Sequence, residues 1–342
     1  MGRKLAFGLA AAAALWLAGP PAPASAETLN WVTYKPQSAG DAQQISMQWF
    51  ADELSRRTKG EWKARIHWGG SVAGPNEIPN AVGKGLGDMG DIIVPYFPDQ
   101  MLLNNAISYI QPQRTSAIEG AMLMQFWHDT IPAFSAEMEK LNLKVLSFRP
   151  IEAYGLICTR PVKSVADLKG LRIRAFGFGL PAVVKALGAV PMNVTTNDTY
   201  EALERKIIDC SPIGPVLASG FKLDEVAKYY IDIPLGVVSY GHFIAMNTNK
   251  FKALPKEVQT ELESIGREHL VRYIALSNVQ EVQVRKRWKD TGKVEVIPFP
   301  AAEFSAAIAA SDELKKLHKE WSDRARALGV DPEPIVQRLA VK

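Results

Sequence analysis

The stretch Asp167-Leu168-Lys169-Gly170-Leu171-Arg172-Ile173-Arg174 carries the most information about the fold of this chain. Residues 171–174 are predicted to form a short strand that ends on an arginine. The small, breaker-rich residues 175–179 then separate this strand from a helix that Pro181 opens. A planar guanidinium can form two parallel, charge-assisted hydrogen bonds with one carboxylate. Arg174, at the junction between a strand and a helix, would suit such a carboxylate, although an arginine near a strand end is more often solvated or part of a surface ion pair, and these residues alone leave both possibilities open.

Strands and helices alternate on both sides of this stretch. Residues 61–68 alternate between apolar and charged side chains, which predicts a half-buried strand. Downstream, a helix over 181–187, a strand near 191–194 and a helix over 199–206 follow one another. Such β-α-β units predict parallel pairing, and a set in each half of the chain predicts an α/β protein with two lobes.

A long, highly charged helical stretch is predicted from Pro255 to about residue 290, which exceeds the length of an ordinary globular helix. We expect this helix to span both lobes of a two-lobe, type II-like binding fold. The predicted division of the chain assigns residues 27–151 and 240–280 to lobe I, and residues 152–239 and 281–338 to lobe II. A further helix is predicted near 302–328, and a Pro/Gly turn at 211–215.

The first 26 residues resemble a secretory signal peptide. Arg3 and Lys4 precede an apolar run, and Ala24-Ser25-Ala26 is a typical cleavage site, so we expect cleavage after Ala26. The apolar run is too short to span a bilayer, and we expect no membrane insertion of the mature protein. The sequence therefore predicts an exported protein.

The charge and the cysteines narrow the possible functions. The signal segment contains two of the 40 Lys and Arg residues and none of the 36 Asp and Glu residues, which leaves a net formal charge of +2 on the mature chain. This near-neutral balance argues against nucleic-acid binding. In an oxidising compartment Cys158 and Cys210 could form a disulfide, or both could be unreactive buried thiols. The sequence leaves both possibilities open.

Motifs for catalysis, metals and nucleotides have little support. Residues 85–90 match G-x-G-x-x-G, but they follow a predicted helix and enter a strand, which is the reverse of a dinucleotide site. The five histidines are scattered without metal-ligand spacing, and no Ser/His/Asp or Cys/His arrangement is visible. We therefore expect no catalytic residues, no metal and no cofactor, and a protein that is not an enzyme.

An ordered series of segments resembles the TRAP-transporter solute-binding receptors, the DctP-type family of periplasmic substrate-binding proteins. Residues 165–174 resemble the family signature, and the matches run in register from the signal peptide to about residue 265. The further matching segments are Trp49-Phe50-Ala51-Asp52-Glu53-Leu54, Gly69-Gly70-Ser71-Val72-Ala73-Gly74, Gly85-Leu86-Gly87-Asp88-Met89, Ala186-Leu187-Gly188-Ala189-Val190-Pro191, Thr199-Tyr200-Glu201-Ala202-Leu203 and Ile208-Asp209.

The resemblance implies a function. Members of this family bind a small organic anion between two lobes in the periplasm and deliver it to the membrane permease subunits of a transporter driven by an ion gradient. Their hallmark is an arginine that binds the substrate carboxylate, and the register places Arg174 at that position. Arg172 falls where members carry an exposed basic residue, so we expect it to be solvated. We expect a monomer.

Two departures from the family pattern bear on the ligand. Leu156 occupies the position of a second arginine in sialic-acid and many dicarboxylate receptors, and the segment 209–215 lacks the asparagine of these receptors and has Ile213 instead. Because a buried site without partners for a second charge rejects that charge, we expect a monocarboxylate with an apolar or aromatic body. The residues expected to line the pocket around Arg174 are Tyr34, Tyr96, Tyr154, Phe176, Ile213 and Tyr240.

Two other functions remain open at this stage. A periplasmic enzyme could act on an organic acid in the same cleft, although it would need a positioned nucleophile or general base. A sensor or scavenger could hold the ligand for a signalling partner without transport.

Overall fold

The computed structural model of the protein describes residues 26–37, 40–110, 117–149, 151–235 and 242–339. Its strands are β1 (Glu27–Val32), β2 (Trp62–His67), β3 (Met89–Ile93), β4 (Leu143–Arg149), β5 (Gly155–Cys158), β6 (Arg172–Arg174), β7 (Val190–Met192), β8 (Cys210–Ile213), β9 (Tyr229–Asp232), β10 (His242–Asn247) and β11 (Glu295–Pro298). Its helices are α1 (Ala42–Arg57), α2 (Ile78–Gly83), α3 (Ala106–Tyr109), α4 (Ala117–Thr130), α5 (Pro132–Glu139), α6 (Val165–Leu168), α7 (Gly179–Ala186), α8 (Thr199–Glu204), α9 (Pro215–Gly220), α10 (Leu223–Val226), α11 (Thr248–Ala253), α12 (Lys256–Thr291), α13 (Ala301–Ala309), α14 (Asp312–Ala327) and α15 (Glu333–Leu339).

The strands form two separate sheets, and each sheet defines one lobe. In lobe I the strand order is β2-β1-β3-β10-β4, with β1 parallel to β2 and β3, and β10 antiparallel to both of its neighbours. In lobe II the order is β11-β9-β5-β8-β6-β7, with β6 parallel to β7 and β8, and β5 antiparallel to both of its neighbours. The predicted residue boundaries between the lobes stay a prediction.

The stretch 167–174 folds as a short helix, a turn and a strand. The Ser164 hydroxyl accepts a hydrogen bond from the backbone of Asp167, and the Asp167 carboxylate accepts one from the backbone of Ser164, which makes a capping box at the start of α6. Gly170 then adopts a left-handed φ of 75°, which glycine reaches without steric cost. The turn directs the chain into β6, and β6 ends on Arg174 at the carboxyl edge of the lobe II sheet.

Helix α12 is 36 residues long and joins the two lobes, as the sequence predicts. One part of it packs on α1 and β4 of lobe I, and its other end packs on α9 and β11 of lobe II. Its contact with lobe I buries Leu262 and Ile265 against Trp31 and Phe50. None of the helices in the described ranges, α12 included, has the length and apolar character needed to cross a membrane.

The structure differs from the predicted elements at two places. Residues 210–213, which were expected to enter a Pro/Gly turn, form β8 in the middle of the lobe II sheet. The single helix predicted near 302–328 is two helices, α13 and α14, because the chain leaves helical geometry at Ser311, whose hydroxyl caps α14.

Cys158 and Cys210 form a disulfide. The two residues are register partners on the neighbouring strands β5 and β8, and both are completely buried. The bond therefore links the central strands of the lobe II sheet and resolves the alternative that the sequence left open.

Gly266 allows α12 to lie directly on β4. A Cβ atom at this position would lie 1.9 Å from the carbonyl oxygen of Leu146, which is a backbone atom and cannot move aside as a side chain could. The absence of a side chain at Gly266 thus sets how closely the bridging helix approaches lobe I.

Glu152 lies in the connection between β4 and β5, where the chain passes from lobe I to lobe II, and it hydrogen-bonds to the start of α9. Its carboxylate oxygens accept hydrogen bonds from the backbone amides of Val216 and Leu217, at 3.0 and 2.8 Å, at the start of α9. Burial raises the pKa of Glu152 to about 8, and the two amide hydrogen bonds oppose that rise only in part. Glu152 is therefore protonated more readily in the folded than in the unfolded protein.

Replacing Gly266 by alanine should destabilise the protein. The steric conflict with Leu146 should cost about 1–3 kcal/mol, which exceeds the gain of about 1 kcal/mol that alanine normally brings to a helix. Thermal unfolding followed by circular dichroism should show a melting temperature several degrees lower. Arg267→Ala, at the next and exposed position of α12, is the control and should change little. A higher melting temperature for Gly266→Ala would contradict this packing.

The free energy of unfolding should fall as the pH rises from about 6.5 to about 8. A carboxyl whose folded pKa is raised above its unfolded value binds extra protons in the folded state, and that advantage is lost as the pH rises through the folded pKa. The buried histidines His128, His242 and His269 have lowered pKa values, so the unfolded chain binds more protons at these residues near pH 6.5 and their contribution partly offsets the fall. This contribution is the same in every variant compared, so urea titrations should show a free energy of unfolding that falls by about 1–2 kcal/mol more in the unmodified protein and in the exposed variant Glu139→Gln than in Glu152→Gln. An equal decrease in all three proteins would show that Glu152 is not responsible.

Candidate functional site

The carboxyl ends of the strands in the two sheets face each other across a cleft. Tyr34 and Tyr96 follow β1 and β3 of lobe I, and Arg174 ends β6 of lobe II. The Asn197 amide donates across the cleft to the carbonyl oxygen of Tyr34 at 3.3 Å, and the Tyr96 and Thr196 hydroxyls are 3.0 Å apart. This edge of an open α/β sheet is the usual place for a ligand.

Arg174 is almost completely buried and is held in one orientation. Its Nε donates to the carbonyl oxygen of Val194 at 2.9 Å, and its Nη2 donates to the hydroxyls of Thr196 and Tyr96 at 2.9 and 3.1 Å. Nη1 makes no hydrogen bond to the described residues. The nitrogen pair Nε and Nη2 is thus occupied by the protein, and Nη1 is the donor that Arg174 can offer to a ligand.

Two aromatic rings surround the guanidinium. Its central carbon lies 4.4 Å from the centroid of the Phe176 ring, in a cation–π contact. The Tyr96 and Phe176 rings pack edge to face, with their centroids 5.4 Å apart. The positive charge therefore lies in a water-poor environment without a carboxylate partner among the described residues, which strengthens its attraction for an anion.

The other residues predicted to line the pocket around Arg174 are Tyr34, Tyr154, Ile213 and Tyr240. Tyr34 and Tyr154 are buried, and burial raises the pKa of both phenols. The charge of Arg174 lowers the pKa of Tyr154 in part, which places this phenol within electrostatic reach of the guanidinium. Ile213 is buried at the end of β8, and Tyr240 lies outside the described residues.

Arg172 faces away from this cluster. Its side chain is partly exposed and forms two hydrogen bonds with the Asp209 carboxylate, from Nε at 3.0 Å and from Nη2 at 2.9 Å. The expectation of a solvated arginine is thus refined to a surface ion pair. Of the two arginines on β6, only Arg174 reaches the cleft.

A cavity of about 920 Å³ opens between the lobes beside Arg174. Tyr96, Phe176 and Val194 line it and also contact Arg174, so they lie between the guanidinium and the open volume. Arg174 itself is not in its wall. We interpret this cavity as the mouth of the cleft, with the buried arginine behind it.

Leu156 and Ile213, at the two positions where the resemblance implies polar residues in sialic-acid and dicarboxylate receptors, are both part of the hydrophobic core. They are 1% and 2% exposed, so neither position offers a partner for a charged group. The described residues also contain no group of three or more His, Cys, Asp or Glu side chains that could hold a metal ion.

Thr196, Val194 and Asn197 contribute to the site, and the sequence reasoning missed them. They follow β7, and their contact with Arg174 depends on the pairing of β7 with β6. A Thr-Thr-Asn run after a strand is only a weak sequence signal for a place in the binding site. Whether these residues reach Arg174 depends on the order of the strands in the sheet, which the sequence does not display.

A second buried arginine was also missed, although its sequence context resembles that of Arg174. Arg149 ends β4 and is 1% exposed. Its Nη2 donates to Asp91 Oδ1 at 3.0 Å and to His242 Nδ1 at 2.5 Å. Nearby, the buried Lys35 forms an ion pair with Asp41, and its ammonium lies 4.2 Å from the centroid of the Phe221 ring in lobe II.

Comparisons with known proteins agree with this architecture. The family model described as "Bacterial extracellular solute-binding protein, family 7" matches residues 35–322. The 2,3-diketo-L-gulonate-binding periplasmic protein YiaO of Escherichia coli K12 is 28% identical over 246 residues, which cover 68% of this chain and 70% of YiaO. The C4-dicarboxylate-binding periplasmic protein DctP of Rhodobacter capsulatus is 26% identical over 168 residues, which cover 49% of each chain.

Solved structures show the same fold. A TRAP periplasmic solute-binding protein from Bordetella bronchiseptica with bound (R)- and (S)-mandelate superposes with a TM-score of 0.77 at 21% identity, over 91% of this chain and 96% of that chain. DctP6, a pyroglutamic acid-binding extracytoplasmic solute receptor of Bordetella pertussis, superposes with a TM-score of 0.75 at 18% identity, over 91% and 98%.

The match to the family model extends over most of the chain, and it includes both lobes and the segment around Arg174. The protein therefore belongs to the bacterial extracellular solute-binding protein family 7, the DctP family.

Proposed function

We propose that this protein is a periplasmic TRAP receptor that captures a small monocarboxylate with an apolar or aromatic body. The observation that carries this proposal is Arg174, a buried and oriented guanidinium with Nη1 directed to no protein acceptor in the described chain. A ligand carboxylate would accept a hydrogen bond from Nη1 and neutralise the buried charge. The hydroxyls of Tyr96 and Thr196 lie beside the same guanidinium and could donate to the second oxygen.

The surroundings of Arg174 favour a single carboxylate. Phe176, Tyr96 and Tyr154 supply aromatic surface, and Leu156 and Ile213 are apolar at the positions where the family resemblance implies polar side chains in dicarboxylate receptors. A second carboxylate next to these side chains would lose its hydration without gaining a partner. The mandelate and pyroglutamic acid named for the Bordetella receptors are small monocarboxylates, in agreement with this ligand class.

Cleft closure is the proposed mechanism. In the open form water would hydrate both the carboxylate and Arg174. When the lobes close, Tyr96 of lobe I meets Arg174 and Thr196 of lobe II, and the excluded water no longer weakens the ion pair. The closed form would then deliver its ligand to the membrane permease subunits of the transporter.

Several features of the cellular role belong to the same proposal. Export would follow cleavage after Ala26, and the receptor would act as a monomer without nucleic-acid partners or membrane insertion of its own. The periplasmic proteins YiaO and DctP support the compartment, because their names place them there.

Substitution of Arg174 should weaken binding of every ligand carboxylate. Arg174→Ala should nearly abolish binding, with a loss of about 2–5 kcal/mol, because the carboxylate would be buried without a partner. Arg174→Lys should weaken binding markedly, since a lysine cannot keep the hydrogen bonds to both Val194 and Tyr96. Isothermal titration calorimetry with phenylacetate, mandelate, succinate and sialate would measure these changes.

Arg172→Ala is the matched control, because Arg172 is on the same strand but pairs with Asp209 at the surface. It should keep the affinity of the unmodified protein. Wild-type affinity in Arg174→Ala would refute the role of Arg174. Tighter binding of succinate or sialate than of the monocarboxylates would refute the ligand class.

A further inference from the structure

Arg149 occupies the edge of lobe I that faces the cleft. It is the last residue of β4, and its register partner His242 is the first residue of the antiparallel strand β10. His242 also pairs with Ile93 at the end of β3. Arg149 therefore lies at the carboxyl edge of its sheet, as Arg174 does in the other lobe.

The Arg149 side chain has donors without partners. A guanidinium has five N–H groups, and Nη2 uses its two for Asp91 and His242. Nε and Nη1 are buried and have no hydrogen-bond partner in the described ranges. The Tyr273 ring lies 5.3 Å from the central carbon of the guanidinium in a cation–π contact. Buried donors normally have a hydrogen-bond acceptor, so we take the unpartnered N–H groups of Arg149 as donors for a ligand atom.

Gln43 adds an acceptor to the same cluster. Its Nε2 donates to Asp91 Oδ2 at 2.5 Å, and its Oε1 is buried without a hydrogen-bond partner in the described part of the chain. Asp91 thus links Gln43 to Arg149. The cluster presents unpartnered donors and an unpartnered acceptor, a combination that a hydroxyl group can satisfy at once.

Tyr34 connects this cluster with the Arg174 side of the cleft. Its hydroxyl lies 3.4 Å from Gln43 Nε2, and its carbonyl oxygen accepts from Asn197 of lobe II. The pKa of Tyr34 responds to the charges of Asp91 and Arg149, while the pKa of Tyr154 responds to both Arg174 and Tyr34. Tyr34 is therefore within electrostatic reach of Arg149, and Tyr154 is within electrostatic reach of Arg174.

The charges of the cluster are already balanced. Arg149 is paired with Asp91, and Lys35 with Asp41, so the four groups have no net charge. His242 is neutral, because burial and the neighbouring cations lower its pKa well below the usual value. A second ligand carboxylate would add an uncompensated buried negative charge, whereas a neutral oxygen would not.

We infer that Arg149 hydrogen-bonds a neutral hydroxyl or oxo oxygen at the end of the ligand remote from its carboxylate. The preferred ligands are then hydroxy- or oxo-monocarboxylates, with the acid at Arg174, the apolar body between the tyrosines and the second oxygen at Arg149. This inference rests on the proposed function, since it assumes that the carboxylate binds at Arg174.

Matched pairs of acids test this inference by titration calorimetry. Levulinate and valerate differ by one oxo oxygen, and para-hydroxyphenylacetate and phenylacetate differ by one hydroxyl. Adipate supplies a second carboxylate instead. The unmodified protein should bind the oxygenated member of at least one pair about tenfold more tightly or better, because buried N–H groups are left unpaired by the other member. Adipate should bind more weakly than levulinate.

Two variants assign the preference to Arg149. Arg149→Lys retains a positive charge beside Asp91 but removes the Nε and Nη1 donors, and Arg149→Gln retains a neutral amide donor. In each folded variant the affinity ratio within the pair should fall to about threefold or less. Arg174→Lys should instead weaken both members of a pair to the same extent. Arg172→Lys, at the surface ion pair, should change neither the affinities nor their ratio.

The outcomes separate this inference from the proposed function. Binding of plain and oxygenated acids with equal affinity, or a ratio unchanged in the Arg149 variants, would overturn the role of Arg149 and leave the monocarboxylate receptor intact. Tightest binding of adipate would overturn the neutral-oxygen class. Failure of all these monocarboxylates to bind, or affinities that do not depend on Arg174, would overturn the proposed function and this inference with it.

Discussion

The hydrogen bonds of Arg174 connect the two lobes at the cleft. The guanidinium belongs to lobe II, is oriented there by Val194 and Thr196, and reaches the Tyr96 hydroxyl of lobe I. The Tyr96 hydroxyl also accepts from the backbone amide of Thr196 at 3.1 Å. One buried positive charge thus forms part of the contact between lobes that have separate sheets. In the proposed function, a ligand carboxylate supplies the counter-charge at this contact.

The rest of the fold positions this charge. The capping box of α6 and the turn at Gly170 direct β6 to the cleft, and the disulfide links the strands β5 and β8 beside it. Helix α12 joins the lobes at their back, and Gly266 lets it lie against β4. These elements leave the cleft side as the place where the lobes can separate, as ligand capture by hinge closure requires.

Much of this arrangement could be predicted from local signals. An arginine at a strand exit followed by breakers made Arg174 a candidate, which the family register then selected, and the long periodic stretch predicted α12. The contacts of Arg174 with Val194 and Thr196 could not be predicted, because they depend on the pairing of β6 with β7. The disulfide likewise depends on the register between β5 and β8, and nothing local to either cysteine reveals it.

Arg149 is an instructive omission. It ends β4 and precedes a proline, and Arg174 likewise ends a strand and precedes breaker residues. The family register singles out Arg174, whereas burial at the end of a strand is common to both arginines. Burial distinguishes them from Arg172, whose side chain is partly exposed and pairs with Asp209. An arginine at the end of a strand therefore indicates a ligand-binding position only when its side chain is also buried.

A crystal structure of the protein with a bound monocarboxylate tests the central claim most directly. We expect one carboxylate oxygen within about 3 Å of Arg174 Nη1, with the hydrogen bonds of Nε and Nη2 to Val194, Thr196 and Tyr96 retained. An acid bound elsewhere in the cleft, with no oxygen in hydrogen-bond range of the Arg174 guanidinium, would contradict the account.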